Sequence, residues 1–358
     1  MDPRVIVVGG GYGGIAAAKA LDEVADVTLV EPREAFLHNV ATLRAAVDPT
    51  WADRIFIPYD KLLSRGRVVR DAAVEVRPDE VRLSSGERLE PDYLVLATGS
   101  TGPFPSRIDA TAQASAVERL HAAHTALDRA SGVLLLGGGA VGLEFAGEIA
   151  AAWPGRPVTV VDPGPELLGG RFPDALRADL ARQLDELGVR VLLGTRLDTP
   201  PRTPAGAVRP FTVRTGAGET LAADLWFPCY GSTVPTTYLT PELATARRPD
   251  GRLAVTEHLR VHGHERVFAV GDLNDTPELK MGRAAGAQGE TAAANIRALI
   301  EGGPLTAYAP FADGILLTLG PAGGVGYAPE FGLLDAAATA QFKATFRLEH
   351  FRELLGAD

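Results

Sequence analysis

The sequence predicts an α/β fold, and a pattern that occurs twice in the chain is the main evidence. A short β-branched run, Arg4–Val8, leads into a glycine cluster and then into alanine-rich residues of helical composition. The same order returns at Val133–Leu136, and each copy is followed by a second apolar run, Asp26–Val30 in the first and Val158–Val161 in the second. Strand, tight turn, helix and strand form a βαβ unit, so we expect two Rossmann-like units.

Composition excludes several classes of protein. The 358 residues are enough for roughly two to three domains. The 35 basic and 45 acidic residues give a net charge of −10, which argues against a nucleic-acid partner because phosphate binding needs a basic surface. Hydrophobic residues make up 46% of the chain and charged residues 22%, so the chain is not mainly disordered. The one cysteine, Cys229, allows no intramolecular disulfide.

The chain is expected to be a soluble, cytoplasmic protein. Its longest uncharged runs are broken by proline or rich in glycine, and they are shorter than the roughly 20 residues of a spanning helix. The N-terminus shows no signal peptide, and Asp2 stands where myristoylation needs glycine. Peripheral membrane contact stays open, as does the choice between monomer and homodimer, and no metal site is predicted.

The first glycine cluster has the G-x-G-x-x-G spacing of a dinucleotide-binding turn. Gly9 allows the tight turn, Gly11 lets the backbone approach a pyrophosphate, and Gly14 lets helix and strand pack closely. The phosphates then meet free N–H groups at the helix N-terminus, beginning at Tyr12–Gly13. Glu31 ends the second strand, where a carboxylate can accept hydrogen bonds from a ribose diol.

The second cluster repeats this arrangement. Gly137, Gly139 and Gly142 occupy the three glycine positions, Ala140–Val141 opens the helix, and Asp162 ends the following strand. The context of strand, turn, helix and acidic residue is what the motif requires. A glycine-rich turn without a ligand is the alternative for either copy.

Asp162 also bears on which nicotinamide coenzyme is bound. A carboxylate at this position repels the 2′-phosphate of NADPH, so it favours NADH. Arg156 and Arg171 lie close in sequence and keep NADPH possible. Two nucleotide sites in one chain indicate a flavin that is held and a nicotinamide that exchanges. Spacing alone does not say which unit holds which nucleotide.

Five stretches carry a more specific likeness: Gly9–Ala17, Phe36–Arg44, Leu94–Pro105, Val270–Asp272 and Lys280–Met281. Together they resemble the two-dinucleotide-binding-domain flavoproteins of the pyridine nucleotide-disulfide oxidoreductase superfamily. Within it the sequence is most similar to the branch of ferroptosis suppressor proteins, apoptosis-inducing-factor-like proteins and type-II NADH dehydrogenases. The likeness runs from the first strand to about Tyr327.

The resemblance implies that the first unit binds FAD, with Glu31 on its adenosine ribose, and that the second binds NADH. It implies that Arg44 contacts the flavin nucleotide and that the turn at Thr98–Gly99 approaches it. It also implies that Asp272, after Gly271, bonds the ribityl or pyrophosphate region of FAD.

The resemblance further implies a division into domains. The FAD-binding domain is expected to be discontinuous, over residues 1–105 and 230–303, with an inserted NAD(P)H-binding domain over 106–229 and a small C-terminal module over 304–358. The redox-active cysteine pair of the related disulfide reductases is missing from this sequence.

Three side chains are candidates for the chemistry. Lys280, which with Met281 precedes an alanine-rich helical stretch, is expected to stabilise negative charge on the reduced flavin; a solvated lysine is the alternative. Glu144 matches a position where relatives often have a glutamate near the nicotinamide, or it is an ordinary helix residue. His38 either lines the flavin or quinone pocket or is a satisfied structural histidine. Cys229 is expected to be a small buried hydrophobe.

The C-terminal residues are expected to serve packing. Ile315–Tyr327 is predicted to be core or interface, and the tail from Leu333 is predicted to form an amphipathic helix with Phe342, Phe346 and Phe351 on its packing face.

Three functions fit these observations. The first is an FAD-dependent NADH oxidoreductase that reduces a quinone or a quinone-like small molecule. The second is a reductase of a small electron-carrier protein such as a ferredoxin or rubredoxin. The third is a flavoprotein with a signalling or binding role and little turnover.

Overall fold

The computed structural model describes residues 2–357. The strands in chain order are β1 (Arg4–Val8), β2 (Asp26–Val30), β3 (Ala35–Leu37), β4 (Phe56–Pro58), β5 (Arg67–Val69), β6 (Ala73–Val76), β7 (Val81–Leu83), β8 (Arg88–Leu89), β9 (Tyr93–Leu96), β10 (Val133–Leu136), β11 (Val158–Val161), β12 (Val189–Leu192), β13 (Phe211–Arg214), β14 (Thr220–Ala223), β15 (Leu225–Pro228), β16 (Val267–Ala269), β17 (Ile315–Leu319), β18 (Gly323–Ala328) and β19 (Gly332–Leu334).

The helices are α1 (Tyr12–Leu21), α2 (Thr42–Val47), α3 (Gln113–Arg129), α4 (Ala140–Ala152), α5 (Asp174–Glu186), α6 (Pro241–Ala244), α7 (Gly282–Glu301), α8 (Ala336–Lys343) and α9 (Leu348–Leu354). Within residues 2–357, no helix is both long enough and apolar enough to cross a bilayer.

The first fingerprint belongs to a five-stranded parallel sheet with the order β16-β9-β1-β2-β5. The central strand β1 is buried after Arg4, which explains its run of β-branched residues. The predicted strands Arg4–Val8 and Asp26–Val30 are confirmed with the same bounds. Because the strands are parallel, the turns that follow β1, β9 and β16 meet at one edge of the sheet.

The second fingerprint belongs to a four-stranded parallel sheet with the order β12-β11-β10-β15. The predicted strands Val133–Leu136 and Val158–Val161 are again confirmed with the same bounds. The hairpin β13–β14 lies between β12 and β15 in the chain. The mixed α/β fold with parallel Rossmann-like sheets is therefore confirmed.

The chain returns to the first sheet after it completes the second. Strand β16 pairs with β9, and α7 then packs against α1. Gly289 of α7 permits this close packing, since a Cβ there would lie 2.3 Å from the carbonyl oxygen of Gly13. The order of strands is compatible with an inserted second domain, and the residue boundaries of the domains stay a prediction.

The C-terminal residues form an antiparallel sheet, β17-β18-β19, with α8 packed on it and α4 and α5 beneath. Leu317, Leu319 and Val325 are buried, so the expectation of core for this segment is confirmed. The prediction of one tail helix is wrong. Phe346 and Arg347 adopt φ of 50° and 58°, and this left-handed backbone separates α8 from α9.

The predicted packing face of the tail is only partly correct. Phe346 is 5% exposed and Phe351 is partly buried, whereas Phe342 is 63% exposed. The break between the helices changes the angular relation of these three rings, so a single helical period does not describe them.

Candidate cofactor-binding sites and active site

The first cradle, Gly9–Gly14, has the backbone that the glycine pattern requires. Gly9 has φ of +105°, and a Cβ on Gly14 would lie 1.8 Å from the carbonyl oxygen of Gly9. In contrast, a Cβ on Gly11 would meet no protein atom within 4 Å. The space above Gly11 at the N-terminus of α1 is therefore open, which fits a bound diphosphate.

Glu31 is held by the cradle's own backbone. Its Oε2 accepts a hydrogen bond from the N–H of Gly10 at 2.7 Å, and its Oε1 accepts one from the N–H of Arg33 at 3.0 Å. The hydroxyl of Tyr59 donates to the carbonyl oxygen of Gly10 at 2.8 Å. Oε1 also lies 3.5 Å from Arg33 Nη1, so Oε2 is the oxygen that retains a lone pair for a ribose hydroxyl. The contact of Tyr59 was not foreseen, because no local pattern reveals it.

The second cradle, Gly137–Gly142, has the same geometry. Gly137 has φ of +116°, a Cβ on Gly142 would lie 1.9 Å from the carbonyl oxygen of Gly137, and the space above Gly139 is open. Ala140 and Val141 begin α4, whose N–H groups are free of a side-chain cap. The two cradles therefore present the same anion-binding backbone.

Asp162 is fixed beside the second cradle. Its Oδ2 accepts from the N–H of Gly138 at 2.6 Å and its Oδ1 from the N–H of Gly164 at 2.7 Å. The two arginines close in sequence bond elsewhere. Arg171 forms a two-point ion pair with Asp313 at 2.5 and 3.0 Å. Arg156 donates to the carbonyl oxygens of residues 127 and 128.

The turns after β9 and β16 lie close to the first cradle. A Cβ on Gly9 would be 2.5 Å from the carbonyl oxygen of Ala97, which places the Thr98–Gly99 turn against the cradle. Asp272 accepts a hydrogen bond from Ser100 Oγ at 2.5 Å and lies 3.6 Å from an amino group of Arg107. These contacts fix the Asp272 carboxylate where the resemblance expects FAD. The sequence did not single out Arg107.

Thr98 and Gly271 are also anchored. Thr98 Oγ1 is 2.8 Å from the hydroxyl of Tyr238, and the N–H of Gly271 donates to Gln288 Oε1 at 2.7 Å. Gly99 and Gly271 have φ of +66° and +73°, which favours glycine at both turns.

Lys280 is bound within its own loop. Its Nζ lies 3.0 Å from Asn274 Oδ1 and 2.8 and 3.0 Å from the hydroxyl and carbonyl oxygens of Thr276. Burial lowers the pKa of Lys280 to about 8. Met281 precedes the first residue of α7, Gly282, where a Cβ would touch the Tyr12 ring at 3.2 Å. The loop therefore adjoins the first cradle, and its action on a flavin stays a prediction.

His38 is fully buried and bonded at both ring nitrogens. Nδ1 is 3.2 Å from the Tyr12 hydroxyl and Nε2 is 2.8 Å from the carbonyl oxygen of Phe346. Burial lowers the pKa of His38 to about 4. This arrangement is typical of a structural histidine whose two ring nitrogens both have hydrogen-bond partners. A role for His38 in the flavin or quinone pocket stays a prediction.

Glu144 and Arg44 belong to one chain of charged groups. Arg44 Nε and Nη2 lie 2.5 and 2.8 Å from the two carboxylate oxygens of Glu148. Thr318 Oγ1 is 2.6 Å from Glu144 Oε1 and 3.3 Å from Glu148 Oε1, and Lys343 Nζ is 2.5 Å from Glu144 Oε1. Sequence reasoning missed Glu148, Thr318 and Lys343, because their partners are distant in the chain.

Cys229 packs beneath the second cradle. A Cβ on Gly142 would lie 3.2 Å from the Cys229 Cβ, and burial raises the pKa of the thiol to about 12. A thiol with so high a pKa is a poor nucleophile, so a packing role fits, although Cys229 is partly buried rather than fully buried as expected.

Two such cradles in one chain define a protein with two dinucleotide-binding sites. The pyridine nucleotide-disulphide oxidoreductase family matches residues 3–290, and the chain belongs to this family. Members bind FAD and NAD(P)H, so the protein is an FAD-dependent pyridine nucleotide oxidoreductase. With one cysteine, it has no disulfide pair.

Particular relatives are similar over most of the chain. Ferroptosis suppressor protein 1 of Homo sapiens is 34% identical over 330 residues, covering 90% of this chain and 88% of that protein. Apoptosis-inducing factor homolog B of Dictyostelium discoideum is 29% identical over 361 residues, covering 95% of this chain and 93% of that protein.

Two solved structures share the fold. The sulfide:quinone oxidoreductase of Aquifex aeolicus has a TM-score of 0.80 at 19% identity, covering 99% of this chain and 92% of that chain. The NDH2 of Plasmodium falciparum in complex with NADH has a TM-score of 0.74 at 14% identity, and the match covers 99% of this chain and 95% of that chain.

Proposed function

We propose that the protein oxidises NADH and reduces a quinone or a quinone-like small molecule, with FAD in the first cradle and NADH in the second. One observation carries the proposal. Two open glycine cradles, each with a carboxylate hydrogen-bonded to its own backbone, occur in a chain with a single cysteine. Electrons therefore leave to a separate acceptor rather than to a protein disulfide.

The residues of each cradle have distinct tasks. The backbone N–H groups around Gly11 and Gly139 would hold the two diphosphates, and Glu31 and Asp162 would orient the adenosine riboses. FAD, when bound, would supply the redox chemistry: it would take a hydride from NADH and hand on two electrons and one proton, and a second proton from solvent would complete the reduction of quinone to quinol. The ammonium of Lys280 would stabilise negative charge beside the first cradle.

NADH rather than NADPH is the proposed donor. The Asp162 carboxylate would stand beside the 2′-position of the adenosine ribose and repel a phosphate there. Arg171 is paired with Asp313, and Arg156 binds backbone carbonyl oxygens, so neither guanidinium is free to offset this repulsion.

The quinone class is supported by the fold shared with a sulfide:quinone oxidoreductase. The test is an acceptor screen on purified protein, with NADH oxidation followed by absorbance. Turnover with a soluble quinone supports the proposal. Turnover only with a ferredoxin or rubredoxin assigns the protein to the carrier reductases, and slow reduction without turnover assigns it a sensing role.

A further inference from the structure

The most buried ion pair described joins the helices of the two nucleotide units. Arg44 lies on α2, beside the first unit, and Glu148 lies on α4, the helix that begins at the second cradle. Their side chains are 11% and 2% exposed, and two nitrogens of Arg44 contact both oxygens of Glu148 at 2.5 and 2.8 Å. A two-point contact of this kind fixes the orientation of the guanidinium relative to the carboxylate as well as the distance between them.

The pair continues into a longer charge network. Thr318 Oγ1 connects Glu148 with Glu144, and Lys343 closes the far end at 2.5 Å from Glu144 Oε1. The network therefore contains two cations and two carboxylates from α2, α4 and α8. Desolvation raises the pKa of Glu148, and the Arg44 guanidinium opposes that rise.

An aromatic ring holds both cations in place. The Arg44 guanidinium carbon and the Lys343 ammonium each lie 5.5 Å from the centre of the Phe346 ring. Phe346 is buried, and its backbone carbonyl accepts from His38. Rotation of α4 against α2 would break the ion pair in a buried environment, where an unpaired charge is strongly unfavourable.

We infer that the Arg44–Glu148 pair sets the relative position of the two cradles, and that Glu148 is a positioning residue for hydride transfer. The inference rests on the proposed function. Hydride transfer requires the reacting rings at roughly 3–3.5 Å, and a misplacement of about 1 Å can slow such a step about 100-fold. Because Nε and Nη2 of Arg44 already bind Glu148, this role differs from the FAD contact that the resemblance implies.

The experiment compares Glu148→Gln, Arg44→Met, Arg44→Lys and the Glu148→Gln/Arg44→Met double variant, each loaded with FAD. Three quantities are measured: the FAD-to-protein ratio, the rate of flavin reduction at saturating NADH, and the long-wavelength charge-transfer absorbance of the reduced protein with NAD⁺. That absorbance depends on ring stacking and not on turnover. Arg182→Met, on the exposed face of α5, is the matched control.

We expect Glu148→Gln and Arg44→Met to retain FAD, to lose charge-transfer absorbance and to be reduced about 10- to 100-fold more slowly. The double variant should be no slower than either single variant, because both remove one interaction. Arg44→Lys keeps the charge but not the two-point contact and should be intermediate.

Three results separate the alternatives. Loss of FAD in Arg44→Met, with FAD retained in Glu148→Gln, would overturn the inference in favour of a direct FAD contact. Lower thermal stability with an unchanged charge-transfer absorbance and an unchanged rate of flavin reduction would show that the pair only stabilises the fold, and would overturn the inference. Failure of the wild-type protein to be reduced by NADH at all would instead contradict the proposed function.

Discussion

The imidazole Nε2 of His38 lies 2.8 Å from the carbonyl oxygen of Phe346, a residue 308 positions later in the chain. A carbonyl oxygen only accepts, so Nε2 carries the ring proton and Nδ1 accepts from the Tyr12 hydroxyl. Tyr12 follows Gly11 at the start of α1. The C-terminal tail is thus tied through one neutral histidine to the first residue of the helix at the first cradle.

His38 should make the free energy of unfolding depend on pH. Its pKa falls from 6.5 to about 4 on folding, so the unfolded chain binds the additional proton below pH 6.5. The free energy of unfolding should therefore decrease by about 3 kcal/mol between pH 6.5 and pH 4, and His38 should contribute no further change above that window. Urea unfolding of the wild type and of His38→Gln across this range measures the difference. Equal slopes for both proteins would contradict the assignment.

Gly11→Val should abolish FAD retention without unfolding the protein. A Cβ there meets no protein atom within 4 Å, so we expect the valine side chain to occupy the space of the diphosphate without disturbing the fold. Gly139→Val should leave the protein yellow and raise the KM for NADH steeply. Absorbance at the flavin band and far-UV circular dichroism report both effects. If Gly139→Val loses its colour instead, the two nucleotides are assigned to the wrong cradles.

Gly14→Ala provides the contrast to these variants. Its Cβ would lie 1.8 Å from the backbone oxygen of Gly9, so the first unit should fail to fold even with excess FAD. Solubility and circular dichroism measure this. A folded, colourless Gly14→Ala protein would show that the turn tolerates more displacement than the structure implies.

Asp162→Ala should narrow the preference for NADH over NADPH by about 5- to 10-fold, the effect of removing about 1 kcal/mol of charge repulsion. The readout is the ratio of kcat/KM for the two coenzymes, because loss of the bonds to Gly138 and Gly164 affects both alike. Glu186→Ala, on the exposed surface of α5, is the control. An unchanged ratio discards Asp162 as the selector.

Lys280 should give the reductive step a pH dependence. With a pKa of about 8, its ammonium is present below that pH and is lost as pH rises through it. The rate of flavin reduction by NADH should fall by about tenfold between pH 7 and pH 9. Lys280→Arg keeps its charge throughout and should show a flat profile. A wild-type profile as flat as that of Lys280→Arg would remove Lys280 from the chemistry.

Features with short-range causes could be predicted from the sequence. The apolar runs 5–8 and 133–136 form buried strands because valine, isoleucine and leucine suit a sheet that is covered on both faces. The glycines at positions 9 and 137 stand where the backbone has positive φ, and Glu31 and Asp162 bond the N–H groups of their own cradles. Each of these relations lies within one βαβ unit.

Features that depend on distant partners could not be predicted. Arg44 and Glu148 are 104 positions apart, and Tyr59 reaches Gly10 across 49. The break at Phe346 and Arg347 was missed because neither glycine nor proline marks it, and burial of Phe346 against Trp51 favours a backbone that local propensity opposes. Tertiary packing decides all three.

The edge strand β16 has a consequence for synthesis of the chain. Strand β9 pairs with β1 on one edge, but its partner on the other edge, β16, is synthesised only after the whole second sheet. Until then one border of β9 presents unsatisfied peptide groups, which invite pairing with other nascent polypeptides. The first sheet is therefore begun first and completed last. A chaperone that covers the open edge of β9 during synthesis should raise the yield of native protein.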